Sequence, residues 1–279
     1  VTPVGQQARV RMVVDGVVTD HDPIDLAVSE SIIQYLKGPA GMDPDETRQP
    51  QTGKGAFDIT GMGKPVDLEM ATAGTTGGQR IQFRMVQEAV RTNIEELGMA
   101  EDVLERLRKA NSQSQGLIIV SGRARNGITS TLYSMLRGHD AYMKQLATVE
   151  AEPVVDMENV TQYRYGEDKN LPERLAAAAR RDPDVLMVDR CPDAKTAELV
   201  QGISEEKLVL LGLHARDSFT ALAKWIQVLG DKETAMSNLL GISCQVLVRK
   251  LCTECREAYR PDAQMLARAN ISADDVEVF

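Results

Sequence analysis

The chain lacks several features that would place it in other classes. It has no uninterrupted apolar run near the ~18–20 residues that cross a bilayer, so neither membrane insertion nor a secretory leader is expected. Four cysteines in 279 residues are too few for a disulfide framework, and a reducing cytoplasm is the default compartment. It has no excess of cations: 32 Lys+Arg against 41 Asp+Glu give a net charge of −9. That excludes non-specific nucleic-acid binding as a main activity, because each phosphate contact needs a positive group. No short repeat, heptad or low-complexity tract is present. What remains is 43% apolar and 26% charged, a globular composition long enough for two domains. The first residue is Val1, as expected of a piece of a longer protein.

The first third reads as α+β. Residues 8–14 alternate, Asp15-Gly16 offers a turn and Val17-Val18-Thr19 follows, a hairpin pattern. Asp25 is placed to cap a helix to about Leu36, with Ala27, Ile32, Ile33 and Leu36 on its apolar face, and Lys37-Gly38-Pro39 stops it. Residues 42–55, with Pro44 and Pro50, are expected to form a loop, followed by short strands at 56–60, 65–70 and 80–86. After about residue 90, strand and helix signals alternate, as in parallel βα units. Helices are expected at 101–110, 129–137, 171–181, 193–202 and 217–230. Strands are expected at 116–121, 144–150, 184–189, 208–214 and 242–251. The domain reading is an accessory α+β domain over 1–88, a linker over 89–99 and a larger α/β domain over 100–279.

The strongest local signal is a buried strand, a glycine loop and a helix in sequence. The loop is GRARNGITS (122–130). A phosphate-cradling loop requires G-x-x-x-x-G-K-[ST]. Gly122, Gly127 and Thr129 hold their places, with Arg123, Arg125, Asn126 and Ser130 completing the candidate nucleotide-binding set, but the lysine position is Ile128. Backbone N–H groups at a helix start bind phosphate without a lysine. The lysine would add charge-assisted hydrogen bonds of roughly 1.5–3 kcal/mol each. An ordinary βα turn fits the same residues.

The order of segments resembles the bacterial ATPases of type II secretion and type IV pilus assembly. The likeness is carried by Glu95-Glu96-Leu97-Gly98, RRDPDVLMV (180–188) with DAKTAEL (193–199), LVLLGLHARDSFTAL (208–222), LVRKLCTEC (247–255), and in the first third by 9–18, 42–54 and 77–86. The resemblance implies a RecA-like P-loop NTPase domain behind a smaller α+β accessory domain. It also implies ATP and magnesium as ligands, a homo- or hetero-oligomeric ring of the hexameric kind, inner-membrane platform proteins as partners, and a cytoplasmic site at the inner membrane. Thr129 and Asp189 become magnesium candidates, and Glu152, Asp189 and His214 catalytic candidates.

Against that pattern the chemistry is depleted. The family's acidic strand ends Gly-Glu-Ile-Arg-Asp; here it ends Asp189-Arg190-Cys191-Pro192-Asp193, so the water-polarising glutamate has become Arg190. Adjacent strand residues face opposite sides, so Asp189 is not expected to replace it. A position usually glycine is Arg125, costly if its φ is positive. The acidic box keeps Glu150 and Glu152-Pro153-Val154, which would serve equally as a solvated loop, and His214 would serve equally as a structural residue. The resemblance makes Arg48, Lys54, Arg80 and Arg84 candidates to reach a neighbour's phosphates, while Glu69 reverses an expected charge; surface ion pairing is the plainer reading of each. Cys252 and Cys255 have zinc-knuckle spacing but form half a site, and zinc requires a second pair of ligands beyond residue 279. Two functions follow: a degenerate, poorly active or inactive subunit with an assembly or scaffold role, or an ATP-hydrolysing hexameric motor.

Overall fold

The computed structural model describes residues 1–14, 17–59, 65–85, 93–166, 170–259 and 261–272. The chain divides into two compact units, Val1–Val246 and the segment from Leu247 onward. In the first unit, β1 (Thr2–Val4), β2 (Gln7–Val14) and β3 (Val17–Asp25) form an antiparallel sheet, with α1 (Leu26–Lys37) following. A second antiparallel sheet holds β4 (Gln51–Phe57), β5 (Val66–Thr75) and β6 (Gly78–Met85). The expected hairpin is thus β2–β3, although its turn residues 15–16 lie outside the described residues. So do the glycine turn at 61–63 and residues 89–92 of the expected linker. The remainder of that segment forms a short 3₁₀ turn, Ile94–Leu97, ended by Gly98 at φ 72°.

Three expectations need correction here. The Asp25 carboxylate does cap α1 by accepting from Ala27 N at 2.8 Å, but the buried stripe is Ser29, Ile33 and Lys37, with Leu36 half-buried. Ala27 and Ile32 are exposed, because Ala27 turns away from the i, i+4, i+8 row through Ser29. Residues 51–55 of the expected loop are strand, paired along β5. Their glycines explain the pairing: a Cβ on Gly53 would lie 2.3 Å from Ala40 O, so the strand passes against the chain leaving α1 only without side chains. The last strand is 239–245, not 242–251. Its backbone leaves the sheet after Gln245, where the neighbouring strand also ends.

The larger part of this unit is α/β. β7 (Gly116–Gly122), β8 (Leu146–Glu150), β9 (Val160–Arg164), β10 (Val185–Val188), β11 (Leu208–His214) and β12 (Leu239–Gln245) form one parallel sheet in the order β12-β7-β11-β10-β8-β9. Alternation along β7 divides the core. Ile118 and Val120 join Leu104 and Leu107 of α2 (Glu101–Asn111) and Leu132, Met135 and Leu136 of α3 (Ile128–Arg137). Leu117 and Ile119 join the other face, with Leu175 of α4 (Leu171–Ala179), Ala197 and Val200 of α5 (Ala194–Ser204), and Trp225 of α6 (Ser218–Leu229). A parallel sheet covered on both faces reads as continuous apolar runs, which is why these strands were legible. Aspartates cap α5, α6 and the short α7 (Lys232–Ser237): Asp193, Asp217 and Asp231 each accept from the N–H of a threonine three residues on.

In the second unit, the described residues hold a turn at Cys252–Cys255 and α8 (Ala263–Ala269). Among the described residues no helix is long and apolar enough to cross a membrane.

Candidate functional site

Six parallel strands deliver their carboxyl ends to one edge of the sheet. Gly122 ends β7, Glu150 ends β8, Asp189 follows β10, His214 ends β11 and Gln245 ends β12. Between Gly122 and α3 runs the glycine loop. Gly122 has no room for a side chain, since a Cβ there would sit 2.8 Å from Gln245 O. Gly127 takes φ 77° as the residue before α3, and Arg125 takes φ 66°, the positive value that disfavours a side chain by about 1 kcal/mol. Arg123 and Arg125 are exposed, Asn126 and Gly127 half-buried. The loop is braced by a side chain that sequence reading missed: Gln245 donates to Asn126 O at 2.7 Å and accepts from the Thr131 hydroxyl at 2.8 Å. A glutamine at the end of an apolar strand carries no signal that it will tie down a loop 119 residues away.

Ile128 opens α3 and is buried among Ile118, Val120 and Leu132. It belongs to the core beneath the loop. Thr129 and Ser130 are half-buried in the same first turn.

The acidic side is tied internally. Glu150 is buried, and the Tyr133 hydroxyl donates to its Oε2 at 2.6 Å, while Oε1 makes no hydrogen bond of acceptable geometry. Burial pushes the Glu150 carboxyl above its ordinary pKa, and the charge of Asp189 adds to the effect. Asp189 is likewise raised, chiefly by burial. Its Oδ2 accepts from Ala151 N at 3.0 Å, and the Tyr165 hydroxyl lies 2.9 Å from both carboxylate oxygens. Arg190 Nε in turn donates to the Tyr165 oxygen at 2.7 Å, with the guanidinium 5.3 Å from the ring centroid. This corrects the expectation that Asp189 and Arg190 face opposite sides. β10 ends at Val188, strand alternation ends with it, and both side chains meet at Tyr165.

His214 is exposed and in register with Gly122; its carbonyl accepts from Lys224 Nζ at 2.7 Å. Glu152 is exposed and pairs with Lys54 at 3.5 Å. Lys54 also pairs with Glu69 at 2.9 Å, and Glu69 with Arg84 at 3.9 Å, a ladder across β4, β5 and β6; the Glu69 carboxylate, helped by Glu152, raises the Lys54 pKa. The two carboxylates therefore occupy a cation expected to serve phosphate. Arg80 and Arg48 are exposed on β6 and on the loop after α1. That loop hangs on another unforeseen residue, Lys37, which is fully buried and donates to the Glu46 carbonyl together with Gln51 and Gln79. A polar depression lined by Tyr142, Lys144, Asn159 and Thr161 lies at the opposite, amino-terminal ends of β8 and β9, away from these groups.

In the second unit Cys252 and Cys255 are exposed, and backbone N–H groups of Glu254 and Cys255 lower the Cys252 pKa. Among the described residues no group of three or more His, Cys, Asp or Glu is placed to hold a metal. For a magnesium nucleotide the residues divide. The backbone cradle fits a phosphate, but the lysine position is apolar and both Asp189 oxygens already take protein hydrogen bonds.

The chain as a whole resembles known proteins. The chain matches the family described as Type II/IV secretion system protein over residues 1–276. The Type II secretion system protein HxcR of Pseudomonas aeruginosa is 32% identical over 260 residues, covering 92% of this chain and 55% of that protein. The Type II secretion system ATPase E of Vibrio cholerae is 30% identical over 259 residues, covering 91% and 51%. Among solved structures, the pilus retraction motor PilT with bound ADP aligns at a TM-score of 0.56 and 22% identity, over 86% of this chain and 72% of that one. The last likeness supports the fold: the six-stranded domain is RecA-like, with a smaller α+β part before it. The chain spans about half the length of the curated relatives named here. It belongs to the Type II/IV secretion system protein family.

Proposed function

We propose that this member of the family is a degenerate, poorly active or inactive subunit with an assembly or scaffold role in type II secretion or type IV pilus assembly. In this reading residues 1–88 are the accessory domain, 89–99 the linker and 100–279 the ATPase-like domain. The subunit joins a homo- or hetero-oligomeric ring, contacts inner-membrane platform proteins and works in the cytoplasm at the membrane. Zinc joins Cys252 and Cys255 only where a second pair of ligands is supplied.

One observation carries the reading. At the strand edge the two positions that would handle triphosphate charge are Ile128, buried in the core, and Arg190, bonded to Tyr165. A cation at the phosphates and an acid at the water act on charge that develops in the transition state, so their loss removes orders of magnitude of rate. Glu150 does not substitute, because it is buried, raised in pKa and capped by Tyr133. Magnesium, where bound, would supply charge neutralisation at the phosphates, and Thr129 is the residue left to hold it. The loop backbone and the exposed Arg123 and Arg125 would bind the anion.

A functional ATP-binding and hydrolysing hexameric motor is the second reading, favoured by the loop shape at Gly127 and by Thr129. Steady-state phosphate release separates the two. The scaffold reading expects release at background level from wild type and Thr129→Ala alike. Steady release that Thr129→Ala abolishes contradicts it.

A further inference from the structure

We infer that the depression at the amino-terminal ends of β8 and β9 binds a small organic phosphate, with Lys144 as its cation. It lies at the end of the sheet opposite the glycine loop, so the inference is independent of the function proposed above. The depression has a volume of about 630 Å³, and its lining includes Tyr142, Met143, Lys144, Gln145, Asn159 and Thr161. Small-molecule sites span roughly 300–1,000 Å³. Charge is the first argument. Among the described residues that line it there is no carboxylate, in a chain of net charge −9. The two carboxylates that bond to its rim both take backbone N–H groups: Asp140 Oδ1 accepts from Tyr142 N at 2.9 Å, and Asp184 Oδ2 from Gln145 N at 2.8 Å.

Lys144 is positioned by a neutral chain of groups rather than paired with an acid. Its Nζ lies 3.4 Å from His139 Nδ1, and His139 Nε2 lies 3.3 Å from Asn111 Oδ1. Asn111 is buried, and its Nδ2 donates to Met135 O at 2.9 Å, which leaves Oδ1 to accept. His139 therefore carries its proton on Nε2, and its Nδ1 accepts from the ammonium. Burial, helped by the Lys144 charge, lowers the His139 pKa to about 4, so the ring is a neutral acceptor at neutral pH. An ammonium has three donors. One goes to His139, and Lys144 makes no ion pair among the described residues, so the others are left for a ligand.

The surroundings fit phosphate better than carboxylate. A lysine acts on phosphate as a point charge, whereas planar carboxylates favour the bidentate fork of arginine. The Tyr142 and Thr161 hydroxyls and the Gln145 and Asn159 amides make no hydrogen bonds within the protein among the described residues, and they supply donors for the remaining phosphate oxygens. Both walls are fixed by backbone. Met143 N and Lys144 N donate to Asp140 O at 3.1 and 2.9 Å, and Val160 N donates to Met157 O at 3.4 Å past Asn159 at φ 59°. Tyr142 and Met143, 87% and 80% exposed, offer apolar surface to the organic part.

The experiment is calorimetric titration of the whole chain near neutral pH with phenyl phosphate, inorganic phosphate and benzoate at matched ionic strength. It is run on wild type, on Lys144→Gln, on Thr161→Val and on an Arg123→Ala, Arg125→Ala double variant. The expected result is saturable binding of phenyl phosphate, tighter than that of inorganic phosphate or benzoate. Lys144→Gln weakens it by about tenfold or more, Thr161→Val weakens it less and leaves the melting temperature unchanged, and the double variant retains it. Absence of saturable binding overturns the inference, as does binding that neither Lys144→Gln nor Thr161→Val alters. Benzoate binding as tightly as phenyl phosphate overturns the assignment to phosphate. Binding that the arginine substitutions abolish places the anion at the glycine loop and overturns the site.

Discussion

In the body of the six-stranded sheet, every residue of β7 and β10 is buried, and alternate side chains sort cleanly between two cores. At the carboxyl-terminal edge, the same strands end in groups that bond to one another: Gln245 to the loop, Tyr133 to Glu150, and Tyr165 to Asp189 and Arg190. The body needs only volume and apolarity, so its requirements are met by many sequences. The edge needs particular charges at particular atoms. In this chain Gly122 and Gly127 shape the loop at the edge, while Ile128 serves the core and Glu150, Asp189 and Arg190 are bonded to tyrosines. Shape and chemistry are separable because glycine positions and strand ends set the first, and single side chains set the second.

The most severe break of the comparison is at the point where body meets edge. A Cβ on Gly212 would lie 2.2 Å from Asp189 O, a backbone atom that cannot swing aside. Gly212→Ala is expected to cost roughly 3 kcal/mol or more in urea unfolding, beyond the range of ordinary surface changes. Removing Trp225, buried and donating to Ala235 O at 3.1 Å, should cost a comparable 3–5 kcal/mol (roughly, as for other large-to-small core changes). The contrast is informative: the first change also displaces Asp189, whereas the second leaves the edge intact.

Ile128→Lys tests whether that position belongs to the body. Loss of a buried isoleucine should lower stability by about 1.5–3 kcal/mol without ligand, read from denaturant midpoints. A neutral result would place Ile128 with the edge.

Capping effects are smaller. Asp193→Ala removes the hydrogen bond to Thr196 N at 2.8 Å and should cost about 1 kcal/mol. The pH dependence is a further small effect with a defined sign. Glu150 has a folded pKa above its unfolded value, so the native state binds its proton more tightly. Stability contributed by that protonation is present at low pH and is lost as pH rises from the ordinary carboxylate range through the raised folded pKa. Comparing wild type with Glu150→Gln isolates this contribution: the slope should be shallower in the variant, where Asp189, also raised by burial, supplies what is left; equal slopes would show that Glu150 ionises in the fold as it does in the unfolded chain.

The body was legible from sequence because buried parallel strands announce themselves as apolar runs bounded by glycine, as in 116–122; in the first third, Asp25 and Lys37-Gly38-Pro39 mark the ends of α1. β9 was not foreseen, since Val160–Arg164 alternates polar residues and becomes a strand only by pairing with β8. Residues 51–55 were expected to be loop because the stretch 42–55 is polar and holds Pro44 and Pro50; the role of the β4 glycines is visible only against Ala40. For the candidate site, the sequence located the strand ends and the positions of Ile128 and Arg190. It did not disclose that Tyr165, 24 residues before Asp189, would engage both Asp189 and Arg190. Nor did it disclose that Lys37 would be buried beneath the Glu46 carbonyl. Such pairings depend on tertiary proximity, which local pattern does not encode.

The most direct test is the melting temperature of wild type and of the Ile128→Lys, Arg190→Glu double variant, each with and without millimolar Mg-ATP, since binding to the native state stabilises by RT ln(1 + [L]/Kd). A negligible shift is expected for wild type and a clear upward shift for the double variant. A large shift in wild type that the double change leaves no greater would contradict it.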